Sequence, residues 1–576
     1  MNGDNRNLIM AIALSMLILI VYQIYFIPDE PIQQNQSQEG YAGQTVEGLP
    51  ATPSAAALEA QIAAAPLAAT ADRIMIKADK IEGSISLASG RIDDVKLLDY
   101  GEETLDDENR VALLRKSGDE DSYFTEVGFL DGNSQPLVDK NSIWQASGNT
   151  LTPETPVTLS HEENGIRFSL TYSIDDGYLI TVDAKAENIS GEARSIRHFA
   201  RMLRNKPSVS DFFISYEGPI GVFVEDVKEQ IGYDDIHDDG YRTERFESEA
   251  IKGWIGITDK FWLAAIIPHD QSDTLFSFNR VKGRTSNHQP TQVDVITAGA
   301  TIADGASLSR QFSVFAGPKD VDVLESYNES EGVERLDHAI DWGWFPFLTK
   351  PFFHALNWLN KQFGNFGLAI IALTVVVKLA FFPLANKSYK SMAKMRELAP
   401  KVQELRERFS DDRQRQQQEM MQLYRTEKVN PAAGCLPVLL QIPVFFALYK
   451  VLFIDIAMRH APFYGWITDL GQADPTSILN LFGLLPYSTA VFPDFLNLGI
   501  WPILMGFTMF VQMSLNPPPP DPIQAKVFKF MPLFFTFLLA TFPAGLVIYW
   551  TWNNILSIGQ QWFIMQSVKK ASAKKA

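Results

Sequence analysis

Five apolar runs crowd the C-terminal part of this chain, at about 364–383, 436–456, 498–515, 530–542 and 544–564. A run of roughly twenty apolar residues is long enough to cross a bilayer as a helix. Lipid offers the backbone no hydrogen-bond partner, so such runs are restricted to helices that satisfy themselves. The fourth run is short, and the last two adjoin at Pro543-Ala544, which predicts a tight pair of helices. A sixth run lies at 8–27 and ends in Phe26-Ile27-Pro28 before Asp29 and Glu30, without a small-residue cleavage site. It reads as an uncleaved anchor. The expected architecture is a helical polytopic membrane bundle of about six spans, five of them forming a core, joined to a separate all-β domain.

Charge orients the bundle. Eleven Lys and Arg residues lie between 384 and 434, and Lys569, Lys570, Lys574 and Lys575 end the chain, whereas the loop 457–497 carries only Arg459. Basic loops stay in the cytoplasm. Both termini are then cytoplasmic, and the region between the anchor and the first core span lies outside the cytoplasm. The net charge of −18 argues against DNA or RNA as the main partner. One cysteine and scattered histidines suggest neither a disulfide nor a metal site, and no phosphate-binding loop is present, so no cofactor is expected.

Residues 28–72 are rich in Gln, Ala, Pro, Gly and Ser and read as a tether. From 73 to 334 the pattern is β. Ile166, Phe168, Leu170, Tyr172 and Ile174 alternate with polar residues. After Asp176-Gly177 the alternation resumes at Tyr178, Ile180, Val182 and Ala184. Period-two patterning across an Asp-Gly turn predicts a hairpin. Further strand runs fall at 81–87, 92–98 and 254–267. The domain reads as a two-sheet scaffold or docking module, with a sugar-binding or enzymatic role as the alternative. His161-Glu162-Glu163 lacks the second histidine of a zinc motif.

Residues 335–363 hold Trp342, Trp344 and Trp358 without an unbroken apolar run, which suits an amphipathic helix in the membrane interface. The core proper, 364–566, contains a basic insertion at 384–434 that reads as a helical hairpin. Met392, Met395, Leu398, Val402, Leu405 and Phe409 step by threes and fours into one apolar stripe. Its surface suits either a solvated spacer or a docking site for an acidic or RNA-rich partner. A basic tail, 567–576, follows the core.

Lys378 stands inside the first core run, five residues before Pro383. A charge at a helix centre costs about 2.5–3.5 kcal/mol on insertion scales. A snorkelling lysine near the interface is one solution. A hydrated groove is the other. Thr374 lies one turn away, Gln441 sits between Pro437 and Pro443, and Asn553, Asn554, Ser557 and Gln561 form a polar stripe on the last run. Polar groups on three separate spans favour a shared cavity.

Two long stretches carry a resemblance. "SYKSMAKMRELAPKVQELRERFSDDRQRQQQEMMQLYRTEKVNPAAGCLPVLLQIPVFFALY" resembles the core of the YidC-type (YidC/Oxa/Alb) membrane protein insertases. "DPIQAKVFKFMPLFFTFLLATFPAGLVIYWTWNNILSIGQQWFI" is similar to their last two spans. Anchor, tether and β domain match the Gram-negative form, whose periplasmic domain is a β-supersandwich. The resemblance implies a non-enzymatic protein of the bacterial inner membrane. It would insert and help fold nascent membrane proteins through a positively charged, hydrated groove, alone or with the Sec translocon. The groove charge corresponds to Lys378, where the family carries arginine. Ile442, Phe445, Tyr549 and Trp550 correspond to substrate-contacting positions, and Thr374, Gln441, Asn553, Asn554 and Ser557 to the polar lining. The hairpin and tail correspond to regions that meet the ribosome. Lipids are the remaining partner, and no catalytic residue, cofactor or metal is implied. The alternatives from the residues alone are a secondary transporter using Lys378 and a membrane-tethered carbohydrate-processing protein.

Overall fold

The computed structural model describes residues 71–573 apart from short segments at 105–106, 140–141, 207–215, 224–226, 231–232, 234–252, 270–273, 281–289, 331–332, 334, 410–411, 428, 430–435, 490, 494–495 and 517–521. The expected anchor and tether, 1–70, lie outside the described residues.

Strands from Arg73–Lys77 to Ser307–Pro318 form two sheets, one of ten strands and one of nine. The hairpin expected from alternation is present. Ile166–Ile174 pairs antiparallel with Leu179–Asn188, in a register that sets Val182 opposite Tyr172. Asp175 closes its turn by accepting from the N–H groups of Gly177 and Leu179. The inner faces of the two sheets meet. Phe129 of the first lies 4.7 Å from Phe168 of the second, ring centre to ring centre. The Tyr172 hydroxyl donates across the interface to the Gly90 carbonyl at 2.7 Å. Gly90 is required there. Its φ is +62°, and a Cβ would stand 2.6 Å from that hydroxyl.

The run 254–267 is not one strand but two, Trp254–Thr258 and Trp262–Pro268, which pair with each other. Both are buried on both faces, so no alternation marks their ends. The break falls at Asp259-Lys260-Phe261, where the Asp259 N–H donates to the Trp262 carbonyl. The domain is also not purely β. Helix α1, Val321–Ser330, closes it, and Tyr327 reaches back to donate to Asp175.

Seven further helices and one more complete the described chain: α2 Pro346–Phe363, α3 Phe366–Ala380, α4 Phe382–Arg408, α5 Arg413–Thr426, α6 Leu436–Ile454, α7 Ile500–Leu515, α8 Pro522–Leu538 and α9 Ala544–Ala573. Among the described residues no single helix is long and apolar enough to cross a membrane. The bent pair α3 and α4 meets that measure only when taken together. The expected span 364–383 breaks at Phe381, and the two pieces diverge by 69°. Pro383 is the cause. It has no N–H to bond the Leu379 carbonyl and its ring crowds that carbonyl, so α3 stops and a new helix starts at Phe382 with Pro383 in its first turn, where no N–H is needed. The run 530–542 also differs: its helix starts earlier, at Pro522, and ends in a 3₁₀ turn over Leu539–Thr541. Helix α9 passes beyond 564 into the region read as a tail, because residues 565–573 include no Gly or Pro to stop it.

Two glycines set helix approach distances. A Cβ at Gly506 of α7 would lie 1.9 Å from the Thr536 hydroxyl of α8, and one at Gly367 of α3 would lie 2.0 Å from the Phe463 ring. The β domain rests on the helical part through specific contacts. Arg459, just after α6, donates to the carbonyls of Gly101 and Glu102, each at 2.7 Å. Lys260 stands 3.7 Å above the Phe453 ring of α6. Lys450 of α6 pairs with Asp341 at 2.7 Å.

Candidate functional site

Helices α3, α4, α6 and α9 enclose a cavity. It is lined by Thr374, Val377, Lys378, Phe381, Leu384, Ala385, Tyr389, Gln441, Val444, Tyr549 and Asn553. Centres of water-sized spheres can occupy about 30 Å³ of it, and roughly 10–15 Å³ suffices for one water. No carboxylate is among the lining residues, so Lys378 is the single charge facing it. Its ammonium donates to the Ser557 hydroxyl at 2.7 Å, and that hydroxyl donates to the Asn553 carbonyl at 2.8 Å. Lys378 is thus held toward α9 by a neutral group that orients the charge without cancelling it.

The polar residues expected from sequence divide into two sets. Thr374, Gln441 and Asn553 line the cavity, and Ser557 holds Lys378. Thr374 is buried and donates to its own helix at the Ile370 carbonyl, so it offers the cavity a hydroxyl oxygen as acceptor. Asn554 lies elsewhere. Its amide donates to the Thr508 hydroxyl of α7 at 3.3 Å, and Gln561 donates to Asn516 at 3.0 Å. These are two rungs of an α7–α9 contact. One residue is 100° of helix turn, so adjacent asparagines face different neighbours.

The expected contact residues divide as well. Phe445 and Trp550 meet edge to face at 4.8 Å and are partly exposed, and Phe535 of α8 adds a third ring at 5.5 Å from Trp550. Ile442 is exposed one turn from Phe445. Tyr549 is buried and lines the cavity itself. Tyr389 is the residue that the reading of patterns missed. It falls in the segment read as a cytoplasmic helical hairpin, yet after the 69° bend at Phe381 the start of α4 brings Tyr389 to the cavity wall. Pro383 was the available signal.

The hairpin is formed by α4 and α5. Asp412 caps α5 by accepting from the Arg415 N–H, and Lys401 bridges to Glu427 at 2.8 Å. Leu398 and Val402 are buried in it, Leu405 and Met395 are half-buried, and Phe409 carries Arg415 over its ring. Met392 packs instead with Tyr389 and Ile564, tying the hairpin base to α9.

A two-sheet domain is followed by helices whose cavity holds one ammonium and no carboxylate among its described lining residues. Residues 73–355 match the YidC periplasmic domain family, and residues 358–572 match the 60Kd inner membrane protein family. The chain is 44% identical over 98% of its length to the membrane protein insertase YidC of Brucella suis biovar 1, covering 96% of that protein. It is equally identical to the YidC of Granulibacter bethesdensis, with 98% of each chain covered. The crystal structure titled active YidC insertase with the first transmembrane domain resolved covers 86% of this chain and 96% of its own, at 17% identity and a TM-score of 0.35. The chain belongs to the YidC membrane protein insertase family, an inner-membrane family without enzymatic activity. That membership sets aside the transporter and carbohydrate-processing alternatives.

Proposed function

We propose that this protein inserts nascent proteins into the bacterial inner membrane and helps them fold, using the Lys378 cavity as a hydrated groove. The observation that carries the proposal is the lone ammonium held by a neutral hydroxyl in a cavity large enough for water. Water and positive charge placed partway through the bilayer lower the cost of moving a polar, acidic tail. The apolar segment of the same substrate then passes Ile442, Phe445 and Trp550 into lipid, where burial of its surface supplies the driving force. Tyr549 and the polar lining at Thr374, Gln441, Asn553 and Ser557 keep the groove wet.

The topology that fits this role has six spans, with the hairpin and both termini cytoplasmic and a supersandwich-like β domain in the periplasm. The hairpin carries an excess of Lys and Arg on solvated helices, which suits contact with the ribosome, and operation beside the Sec translocon is compatible with the same groove. The test is photo-crosslinking of ribosome-stalled nascent chains to probes at Phe445, Trp550 and Lys378. Crosslinks at all three, moving from Lys378 to Trp550 as the chain lengthens, are expected. Absence of crosslinks at Lys378 alongside strong ones at Trp550 would overturn the groove and leave only a lipid-facing slide.

A further inference from the structure

The loop between α6 and α7 carries an apolar surface that the insertion reaction does not use. Leu481, Leu484, Leu485, Tyr487, Val491 and Phe492 are all exposed, Leu484 and Val491 by 82% each. From Pro475 to the start of α7 the only charged residue is Asp494. Contiguous exposed apolar surface of this kind marks contact with a protein or a membrane. Two observations choose between them. From 478 to 493 the loop carries no charged residue, whereas a protein interface is ringed by a polar rim. Part of the loop's backbone is also paired from within. The N–H groups of Phe482, Leu484 and Leu485 donate to the carbonyls of Ser477, Leu481 and Asn480, and Gly483 donates to the Asn480 side chain. The Tyr487 hydroxyl donates to the Leu479 carbonyl. Internal pairing of this kind lowers the cost of placing irregular backbone at the edge of lipid, where water is scarce.

The stem is polar and fixed. Asp474 accepts from the Trp501 N–H at 2.9 Å, the Thr476 hydroxyl accepts from the Ile500 N–H at 3.0 Å, and the Ile478 N–H donates to the Leu498 carbonyl at 2.9 Å. The tip is therefore held beside the first turn of α7, whose own outward residues Leu504 and Phe507 are exposed and apolar. Leu481 and Phe482 take left-handed backbone, with φ of 51° and 58°. Bulky residues rarely adopt it, and both side chains are exposed.

We infer that residues 478–489 and 491–493 form a foot that inserts into the bilayer interface at the N-terminal end of α7 and fixes the depth of α6 and α7 in the membrane. The partner is lipid, and the inference rests on the membrane location of the family rather than on the groove. The test uses the full chain with Cys435→Ser in lipid nanodiscs, with nitroxide labels placed singly at positions 484, 491, 507 and, as an aqueous reference, 192. Collision rates with oxygen and with a water-soluble nickel chelate are compared. Labels at 484 and 491 should favour oxygen over nickel several-fold more than the label at 192, and approach the ratio at 507. A nickel-accessible tip matching position 192 overturns the inference. So does a tip shielded from both reagents with dipolar broadening that vanishes on dilution with unlabelled protein, because the occupant is then a second copy. Shielding that appears only when a stalled nascent chain is added assigns the surface to substrate and also overturns it. None of these outcomes depends on insertion activity.

Discussion

Lys260 shows how much one residue's setting differs from its type. It is the turn residue between two buried strands, and its ammonium stands over Phe453 and Phe261. Burial pulls its pKa down from 10.5 to about 8, with Glu217 and Asp469 opposing the shift and Arg459 adding to it. The ring faces attract the cation, but desolvation outweighs them. Between about pH 8 and 10.5 the unfolded chain holds this proton and the folded one does not, so stability rises with pH across that window. Below pH 8 both states are charged and the folded state carries the full desolvation cost. In thermal unfolding from pH 7 to 10, the parent should gain Tm relative to Lys260→Met as pH rises, and a pH-independent difference would contradict the assignment. Nothing in the sequence pattern marks Lys260, since its burial comes from a helix nearly two hundred positions later in the chain. Lys378 was legible because a charge inside an apolar run is costly wherever the run folds.

At the scale of elements, long apolar periodicity located the helices, but proline chemistry decided their ends. The kink before Pro383 was readable in principle. Its consequence, Tyr389 turned into the cavity, depends on where α4 points and could not be read from spacing. Close packing was equally hidden. Gly506 meets Thr536 so tightly that Gly506→Leu should force α7 from α8 and cost about 1–3 kcal/mol by overpacking. Unchanged thermal stability of that variant in detergent would contradict the contact. Of the hairpin stripe, Leu398 and Val402 are buried, while Met392 packs against α9. Replacing Leu398, Val402 and Leu405 with serine should open it, with losses of roughly 2–5 kcal/mol for each fully buried position. Limited proteolysis should then cut α4 and α5 while the rest of the chain still assembles. Insertion that continues unimpaired with the hairpin demonstrably open would make it a passive spacer.

Across the whole molecule, the two-part plan was visible as a change of period from two to about 3.6, but the contacts joining the parts were not. Arg459 was legible only as the single basic residue of its loop. Its function in the fold is to bond two carbonyls more than three hundred residues earlier. Arg459→Ala should loosen the β domain, seen as faster amide exchange at Gly101–Glu102, with little loss of insertion. The central claim is that the charge at Lys378, rather than the shape of its side chain, serves insertion. The direct measurement is insertion of a panel of model substrates with graded tail charge by the parent and by Lys378→Arg, Lys378→Ala and Lys378→Glu at matched protein levels. Arginine should work nearly as well as lysine. Alanine should impair acidic-tailed substrates most, and glutamate should block them, since attraction becomes repulsion in a low-dielectric surround. If Lys378→Glu inserts acidic-tailed substrates as well as the parent does, the electrostatic groove is wrong and Lys378 is an anchor at the membrane boundary.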